Sequence, residues 1–277
     1  MQLRPHQLEA LEKMNTKRLG QVIVPTGGGK TMCMIEDAKK RFTQSSLPQT
    51  IVVVAPRILL ANQLSSEFLE FITDVDVIHV HSGETHHKST TKADQLEYWV
   101  NNSTENLLIF TTYHSLHRVE ETGISVDTIY FDEAHNSVQK NFYPATEHFS
   151  RNADRCYFFT ATPKHSRTTE KAGMNHTKTY GNVICQIPAP RLVKQGYILP
   201  PKVEVYRSRI LKKDELVADR DNEQMIGAID NLDKDKVFGL VCIPVYSNVG
   251  ISTARKVEAV VDTIFNKGEA ATSIVNT

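Results

Sequence analysis

The chain has 277 residues, of which 40% are hydrophobic and 23% are charged, a composition typical of folded globular proteins. Its formal net charge is zero, so no overall basic field indicates a polyanionic partner, although local contacts and helix N-termini can still bind nucleic acid. The four dispersed cysteines, the charged N-terminus and the lack of any apolar run near the ~18 residues of a membrane span exclude a disulfide scaffold, a signal peptide and a membrane protein, so we expect a cytoplasmic location (the host cytoplasm if the protein is viral).

A short helix is predicted near the N-terminus, followed by a strand over "QVIV" (21–24). The strand runs into the glycine-rich turn "PTGGGKT" (25–31), and a second helix should follow to about Phe42. The end of this turn fits the phosphate-loop pattern G-x-x-x-x-G-K-[ST], but Val24 stands where that pattern has its first glycine. Taken alone, the turn is therefore either a phosphate-binding loop or a flexible turn with a chance lysine.

A glycine turn between a strand and a helix directs several backbone N–H groups at one point, where the helix dipole adds positive potential. Gly27, Gly28 and Gly29 would let polyphosphate oxygens approach the backbone closely, since glycine has no Cβ. Lys30 would neutralise the β- and γ-phosphates, and the hydroxyl of Thr31 would ligate Mg²⁺.

Further strands and helices alternate along the chain. "TIVVVA" (50–55) is continuously apolar, and residues 59–71 carry apolar side chains at helical spacing. Later strands are predicted over "DVIHV" (76–80), "NLLIF" (106–110), "DTIYF" (127–131) and "RCYFF" (155–159). Strands that are apolar on both faces and alternate with helices predict an α/β fold with a doubly wound parallel sheet.

Four histidines gather in "HVHSGETHH" (79–87), which raises the question of a zinc site. His79 and His81 would share one face of a strand. His86 and His87, however, lie in a polar stretch, and neither a helical H-x-x-x-H pair nor a cysteine partner is present. We favour a solvent-exposed loop here over a metal site.

Two carboxylates end the strand in "TIYFDEAH" (128–135). Ligands of open α/β sheets bind at the carboxyl ends of the strands, so Asp132 is placed to hold Mg²⁺ and Glu133 to deprotonate an attacking water. The alternative is an ordinary helix N-terminus with acidic residues. The Gly-Lys-Thr turn upstream favours the catalytic interpretation.

The composition changes near residue 180, where prolines and isolated glycines indicate a tether between domains. We predict a first domain over 1–183, a linker over 184–201 and the start of a second α/β domain over 202–277. This second unit is expected to be incomplete, because only the beginning of a new strand precedes the last residue, Thr277.

In this order, "PTGGGKT", "DEAH" and "TATP" (160–163) resemble motifs I, II and III of superfamily 2 helicases, in the group that includes phage UvsW-like and type III restriction enzymes. "RPHQ" (4–7) is similar to the upstream Q-type motif, "VVVAPRILLANQ" (52–63) to motif Ia, and "IFTTYHSL" (109–116) to the next nucleic-acid-contacting motif. The resemblance implies a RecA-like first domain followed by part of a second one, with ATP and Mg²⁺ as cofactors.

The resemblance also implies a role for individual residues. Nucleotide and Mg²⁺ contacts fall on Gln7 (adenine), Thr26, Gly27, Gly28, Gly29, Lys30, Thr31 and Asp132, with Glu133 as the catalytic base. Coupling of the nucleotide state to the nucleic-acid surface falls on His135, Thr160 and Thr162, and nucleic-acid contacts fall on Pro56, Arg57, Thr112 and Tyr113. From the residues alone, Thr160 and Thr162 could instead cap a helix after Pro163, and Tyr113 could be a core aromatic.

Two functions follow from the resemblance. In the first, the chain is the N-terminal part of an ATP-dependent helicase or translocase acting on DNA, with RNA as the alternative. In the second, it is an ATP- and nucleic-acid-binding module without turnover, completed by a separate chain or simply truncated, because motifs V and VI of the second motor domain are missing. An arginine from that domain normally contributes roughly 10³–10⁵ in rate in related phosphoryl-transfer enzymes.

Overall fold

The computed structural model describes residues 2–168 and 171–200. The strands of this part of the chain are β1 (Leu19–Ile23), β2 (Thr50–Ala55), β3 (Val75–Val80), β4 (Lys88–Ser89), β5 (Asn106–Thr112), β6 (Thr128–Phe131), β7 (Arg155–Thr160) and β8 (Val183–Gln186). Its helices are α1 (Pro5–Thr16), α2 (Lys30–Gln44), α3 (Ile58–Leu69), α4 (Ala93–Asn101), α5 (Leu116–Glu121), α6 (Tyr143–Asn152), α7 (Thr177–Tyr180) and α8 (Ala189–Lys194), with a 3₁₀ turn over Ala134–Asn136.

The strands form one eight-stranded sheet in the order β4-β3-β5-β2-β6-β7-β1-β8, and every pairing is parallel. Alternate residues of each strand enter two separate cores. In β2, Ile51 and Val53 pack with α1, α2, α3 and α8, while Val52 and Val54 pack with α4, α5 and α6. This two-sided burial explains the continuous apolar runs and confirms the predicted doubly wound, RecA-like α/β fold.

The segment predicted as a linker contains two elements of this domain. The predicted boundary at 183/184 falls inside β8, which pairs with β1, and α8 follows it within 184–201. Cys185, Ile187 and Leu192 are buried in the core, so this stretch packs onto the sheet rather than leaving it. Two of the prolines that suggested a tether, Pro188 and Pro190, lie at the start of α8, where proline is well tolerated.

All the motif segments meet at one edge of the sheet because parallel strands end on the same side. The phosphate loop follows β1, the predicted nucleic-acid contacts lie at the ends of β2 and β5, and the DEAH and TATP segments follow β6 and β7. The predicted second domain (202–277) lies outside the described residues. Within the described residues, no helix is long and apolar enough to cross a membrane.

Candidate nucleotide site

The phosphate loop has the backbone that an anion-binding turn requires. Gly27 and Gly29 adopt left-handed conformations, with φ of 76° and 80°, which glycine reaches without steric cost. Gly29 is the N-cap of α2, and Lys30 is its first residue. The first N–H groups of a helix have no intrahelical acceptor, so those of α2 point out of its N-terminus towards the loop.

The RPHQ segment holds this loop from behind through three consecutive carbonyl groups. The Arg4 guanidinium donates to the carbonyl of Gly27 (3.4 Å), the imidazole Nε2 of His6 to that of Gly28 (2.7 Å) and the amide Nε2 of Gln7 to that of Gly29 (3.2 Å). Of the N–H groups in these three peptides, that of Gly28 donates to the carbonyl of Pro25 (3.0 Å), and those of Gly29 and Lys30 remain for an anion. This arrangement fits polyphosphate.

His6, a member of the RPHQ motif without an assigned nucleotide contact, is part of the scaffold that holds the loop. Its side chain is 1% exposed, and its hydrogen bond to the loop is the shortest of the three. Gln7, the predicted adenine contact, is also buried. Its Oε1 accepts from the backbone N–H of Arg4, and its Nε2 donates to the carbonyl of Gly29 in the loop. The adenine contact stays a prediction.

The DEAH segment meets the phosphate loop through an ion pair. The Nζ of Lys30 lies 3.4 Å from Oε1 of Glu133, and Lys30 is only 9% exposed. Glu133 reaches this position from a left-handed backbone conformation (φ 44°, ψ 54°). A left-handed non-glycine residue costs on the order of 1 kcal/mol and occurs preferentially at functional sites.

The surroundings of Asp132 disfavour its negative charge, and a bound cation would stabilise that charge. Burial and the neighbouring Glu133 carboxylate raise the pKa of Asp132 to about 6, and Lys30 offsets this only in part. A buried carboxylate beside a second one is the donor set that hard divalent cations prefer. Asp132 and Thr31, neighbours in sequence of Glu133 and Lys30, are therefore the residues that fit Mg²⁺, which would supply charge neutralisation at the phosphates.

The three predicted coupling residues form a connected chain. Nδ1 of His135 lies 3.5 Å from Oε2 of Glu133 and 2.9 Å from the hydroxyl oxygen of Thr160. That same hydroxyl oxygen accepts the N–H of Thr162. Burial lowers the pKa of His135, which favours its neutral form. The alternative in which both threonines cap a helix after Pro163 is wrong, because residues 164–168 are not helical.

The predicted nucleic-acid contacts divide into exposed and buried residues. Arg57 is exposed and Pro56 partly so, at the point where β2 ends and α3 begins. Thr112 is buried (4% exposed), and Tyr113 is 2% exposed, with its hydroxyl donating to the carbonyl of Asp132 (2.8 Å). The side chain of Tyr113 therefore cannot reach a nucleic acid, and the alternative of a core aromatic is the one that agrees with its burial.

The histidine cluster differs from the exposed loop that we predicted. His86 and His87 are exposed as expected, but His79 and His81 are buried. The N–H of Gly83 donates to Nδ1 of His81 (3.2 Å), so the proton of His81 lies on Nε2, which faces Nδ1 of His79 (2.9 Å). His79 then donates from Nε2 to the hydroxyl of Ser65 (3.1 Å). This chain of donors requires both rings to be neutral.

Comparison with known proteins identifies the family. The family described as "Type III restriction enzyme, res subunit" matches residues 1–165, which is more than half of the chain. No curated protein matches the sequence. The chain is similar in structure to the ATP-dependent Type ISP restriction-modification enzyme LlaBIII bound to DNA (TM-score 0.60, 19% identity), covering 71% of this chain and 16% of that one.

A nuclease-deletion mutant of the Type ISP enzyme LlaGI, in complex with a DNA substrate mimic, is also similar, with a TM-score of 0.60 and 20% identity over 85% of this chain and 23% of that one. The UvsW helicase from Bacteriophage T4 matches with a TM-score of 0.47 and 13% identity over 66% of this chain and 60% of that one. The chain thus spans less than a quarter of the two restriction enzymes. With its parallel sheet, its phosphate loop and its DEAH segment, the chain belongs to the type III restriction enzyme res subunit family and carries a superfamily 2 helicase motor domain.

Proposed function

We propose that this chain is the ATP-binding part of a nucleic-acid motor that couples ATP hydrolysis to movement along DNA or to strand separation. The observation that carries the proposal is the ion pair between Lys30 and Glu133 (3.4 Å), which joins the phosphate loop to the acidic pair at one edge of the sheet. Neither segment is specific alone, but a phosphate-binding lysine beside a partly buried carboxylate pair is the arrangement that phosphoryl transfer needs.

The residues of the site have separate tasks in this proposal. The N–H groups of Gly27, Gly29 and Lys30 and the Nζ of Lys30 bind the phosphates. Phosphate binding competes with Glu133 for Lys30, which releases the Glu133 carboxylate to orient and deprotonate water. His135 lies against that carboxylate and against Thr160, so its position follows the movement of Glu133.

DNA is the proposed partner because the two similar restriction enzymes are described in complex with DNA or a DNA mimic. The exposed guanidinium of Arg57 at the sheet edge suits a phosphodiester backbone. The zero net charge argues against strong non-specific binding, so DNA should bind weakly to this chain. RNA is the alternative partner, to be compared in the same measurement.

The first prediction tests the nucleotide site. Titration of the full chain with a fluorescent ATP analogue and Mg²⁺ should show binding that Lys30→Ala weakens at least tenfold, since the variant loses the charge facing the phosphates. Lys39→Ala, which removes the same charge from a partly exposed side chain later in α2, serves as the control and should have a smaller effect. Equal affinities of wild type and Lys30→Ala would contradict the proposal.

Hydrolysis separates the motor from a binding module without turnover. A binding module would bind ATP with little DNA-stimulated ATP hydrolysis. Strong turnover that Glu133→Gln abolishes would show instead that the chain is a complete ATPase. Turnover that survives Lys30→Ala would exclude the assigned site altogether.

A further inference from the structure

Tyr113 follows β5 and forms hydrogen bonds to the ends of two other strands, β2 and β6. Its backbone N–H donates to the carbonyl of Ala55 at the end of β2 (3.2 Å), and its phenol hydroxyl donates to the carbonyl of Asp132 at the end of β6 (2.8 Å). Since β2 lies between β5 and β6, this side chain spans one full strand. One residue thus links the strand ends predicted to contact nucleic acid to the acidic pair.

The ring of Tyr113 is held rigidly, which fixes where its hydroxyl points. It is 2% exposed and packs against Phe131 and Phe142, with ring centroids 6.1 Å and 5.7 Å away. Burial raises the pKa of the phenol well above its ordinary value, so the hydroxyl stays protonated and acts as a donor.

The carbonyl that Tyr113 binds belongs to a peptide unit on which the site depends. This unit joins Asp132 to Glu133, and its other residue has the left-handed conformation that directs the Glu133 carboxylate to Lys30. On the opposite side, the N–H of Asp132 donates to the carbonyl of Val54 (2.9 Å). Rotation of the 132–133 peptide is therefore resisted at its carbonyl by Tyr113, and a change there moves both carboxylates.

We propose that Tyr113 is a positioning residue that fixes the Asp132–Glu133 peptide, and with it the carboxylate that binds Mg²⁺, through its hydrogen bond to the Asp132 carbonyl. This inference rests on the proposed function, because it assigns a role within the same nucleotide site. It replaces the predicted contact between Tyr113 and nucleic acid with a contact to the catalytic backbone.

The test measures how much Mg²⁺ contributes to nucleotide affinity. The Kd of a fluorescent ATP analogue is measured for the full chain in excess Mg²⁺ and in EDTA. The Kd in EDTA divided by the Kd in Mg²⁺ gives the Mg²⁺ contribution to affinity. Tyr113→Phe should lower this ratio about tenfold, the size expected when a buried carbonyl loses its donor, while the Kd in EDTA changes less than twofold.

Tyr157→Phe is the matched control. Tyr157 is also fully buried, and its phenol hydroxyl also lies within hydrogen-bond distance of backbone carbonyls, those of Met14 (2.6 Å) and Lys17 (2.7 Å), but it belongs to the first half of β7, away from the site. Its variant should lose a similar amount of thermal stability and keep the wild-type ratio. A structural role of Tyr113 alone would make the two variants behave alike.

A second variant covers the case in which Tyr113→Phe folds poorly. Incorporation of 4-aminophenylalanine at position 113 keeps the ring and an N–H donor, and it should restore the Mg²⁺ contribution to within threefold of wild type. An unchanged ratio in Tyr113→Phe, an equal loss of affinity with and without Mg²⁺, or no recovery with the amino variant would each overturn the inference. If wild type binds no nucleotide, or if Lys30→Ala binds as well as wild type, the proposed function fails and the inference falls with it.

Discussion

At the scale of single residues, the site is defined by groups that hold each other in place before any ligand binds. Arg4, His6 and Gln7 are bound to successive carbonyls of the phosphate loop, and Glu133 is bound to Lys30. Preorganised dipoles avoid the cost of reorientation when a charged ligand arrives. The ion pair between Lys30 and Glu133 instead weakens phosphate binding, since phosphate must displace Glu133 from Lys30.

That competition gives a prediction for Glu133. Glu133→Gln removes the charge that holds Lys30, so the affinity for ADP, which undergoes no hydrolysis here, should rise about threefold to tenfold. Titration calorimetry of wild type and variant checks this. Glu121→Gln, which removes an exposed carboxylate paired with Arg118 (3.0 Å), is the control and should leave the affinity unchanged. Weaker ADP binding by Glu133→Gln would contradict the competition.

The buried histidines give a prediction for the dependence of stability on pH. Burial, with smaller effects of His81 and His87, lowers the pKa of His79 to about 3. Between pH 3 and 6.5 the unfolded chain therefore binds more protons at this site than the folded chain, so stability is fully present above pH 6.5 and is lost as the pH falls. From pH 7 to pH 5 this single group should remove about 1–2 kcal/mol of unfolding free energy.

Urea unfolding of wild type and His79→Gln at pH 7 and pH 5 measures this contribution. The variant is expected to be less stable at pH 7 but to lose less stability on acidification. His86→Gln, in the exposed part of the same loop, should keep the wild-type pH dependence. Identical pH dependence in wild type and His79→Gln would show that the ring is not held neutral by burial.

At the scale of elements, the segment after residue 183 packs against the phosphate loop, although its proline and glycine content predicted a linker. Leu192 of α8 is fully buried, and a Cβ at Gly28 would lie 3.1 Å from its Cδ1. Ile198 lies similarly close to Gly27, and the ring of Tyr197 packs against His6 and Arg4. The phosphate loop is therefore enclosed by α1 on one side and by residues 192–198 on the other.

Truncation of the α8 side chain tests this assignment. Leu192→Ala should lower the free energy of unfolding by about 2–4 kcal/mol, as expected for removal of a fully buried leucine. Leu199→Ala, at a position that is 58% exposed, should change it by less than about 0.5 kcal/mol. Urea midpoints of the two variants give the comparison. Equal, small effects would return the whole of 184–201 to the description as a linker.

At the scale of the whole molecule, ligand binding and folding are linked, because the site is assembled from segments that are distant in sequence. The contacts of Lys30 join residues from β1–α2 and from the β6 edge, and those of Tyr113 join β5, β2 and β6. A ligand that binds only the folded chain stabilises it by mass action.

The corresponding prediction is a rise in melting temperature. At a concentration of Mg²⁺·ATP one hundred times its Kd, the stabilisation is about 2.7 kcal/mol, which corresponds to about 5–10 °C for a domain of this size. Thermal unfolding with and without ligand, for wild type and for Lys30→Ala at the same concentrations, checks it. A shift of equal size in both proteins would place the binding elsewhere.

The fold class followed from the sequence because it depends on local patterns. The apolar run at 50–55 coincides with β2, and the strands predicted near 76–80, 106–110, 127–131 and 155–159 differ from β3, β5, β6 and β7 by at most two residues at either end. Strands buried on both faces need such runs, and the glycine turn with Lys30 needs no tertiary context to be recognised. The order of the motifs likewise indicated the family that the comparison confirmed.

Tertiary structure alone decided the environment of individual side chains. From the sequence, Tyr113 could be a nucleic-acid contact or a core aromatic, and His79 was assigned to an exposed loop. Both are buried, because burial is set by elements far away in the chain: β6 and α6 for Tyr113, α3 for His79. For the same reason β8 and α8 were not predicted, since β8 is stabilised by pairing with β1 and α8 by packing against the phosphate loop. The sequence by itself determined the fold and the chemical groups of the site, whereas long-range packing decided which groups meet.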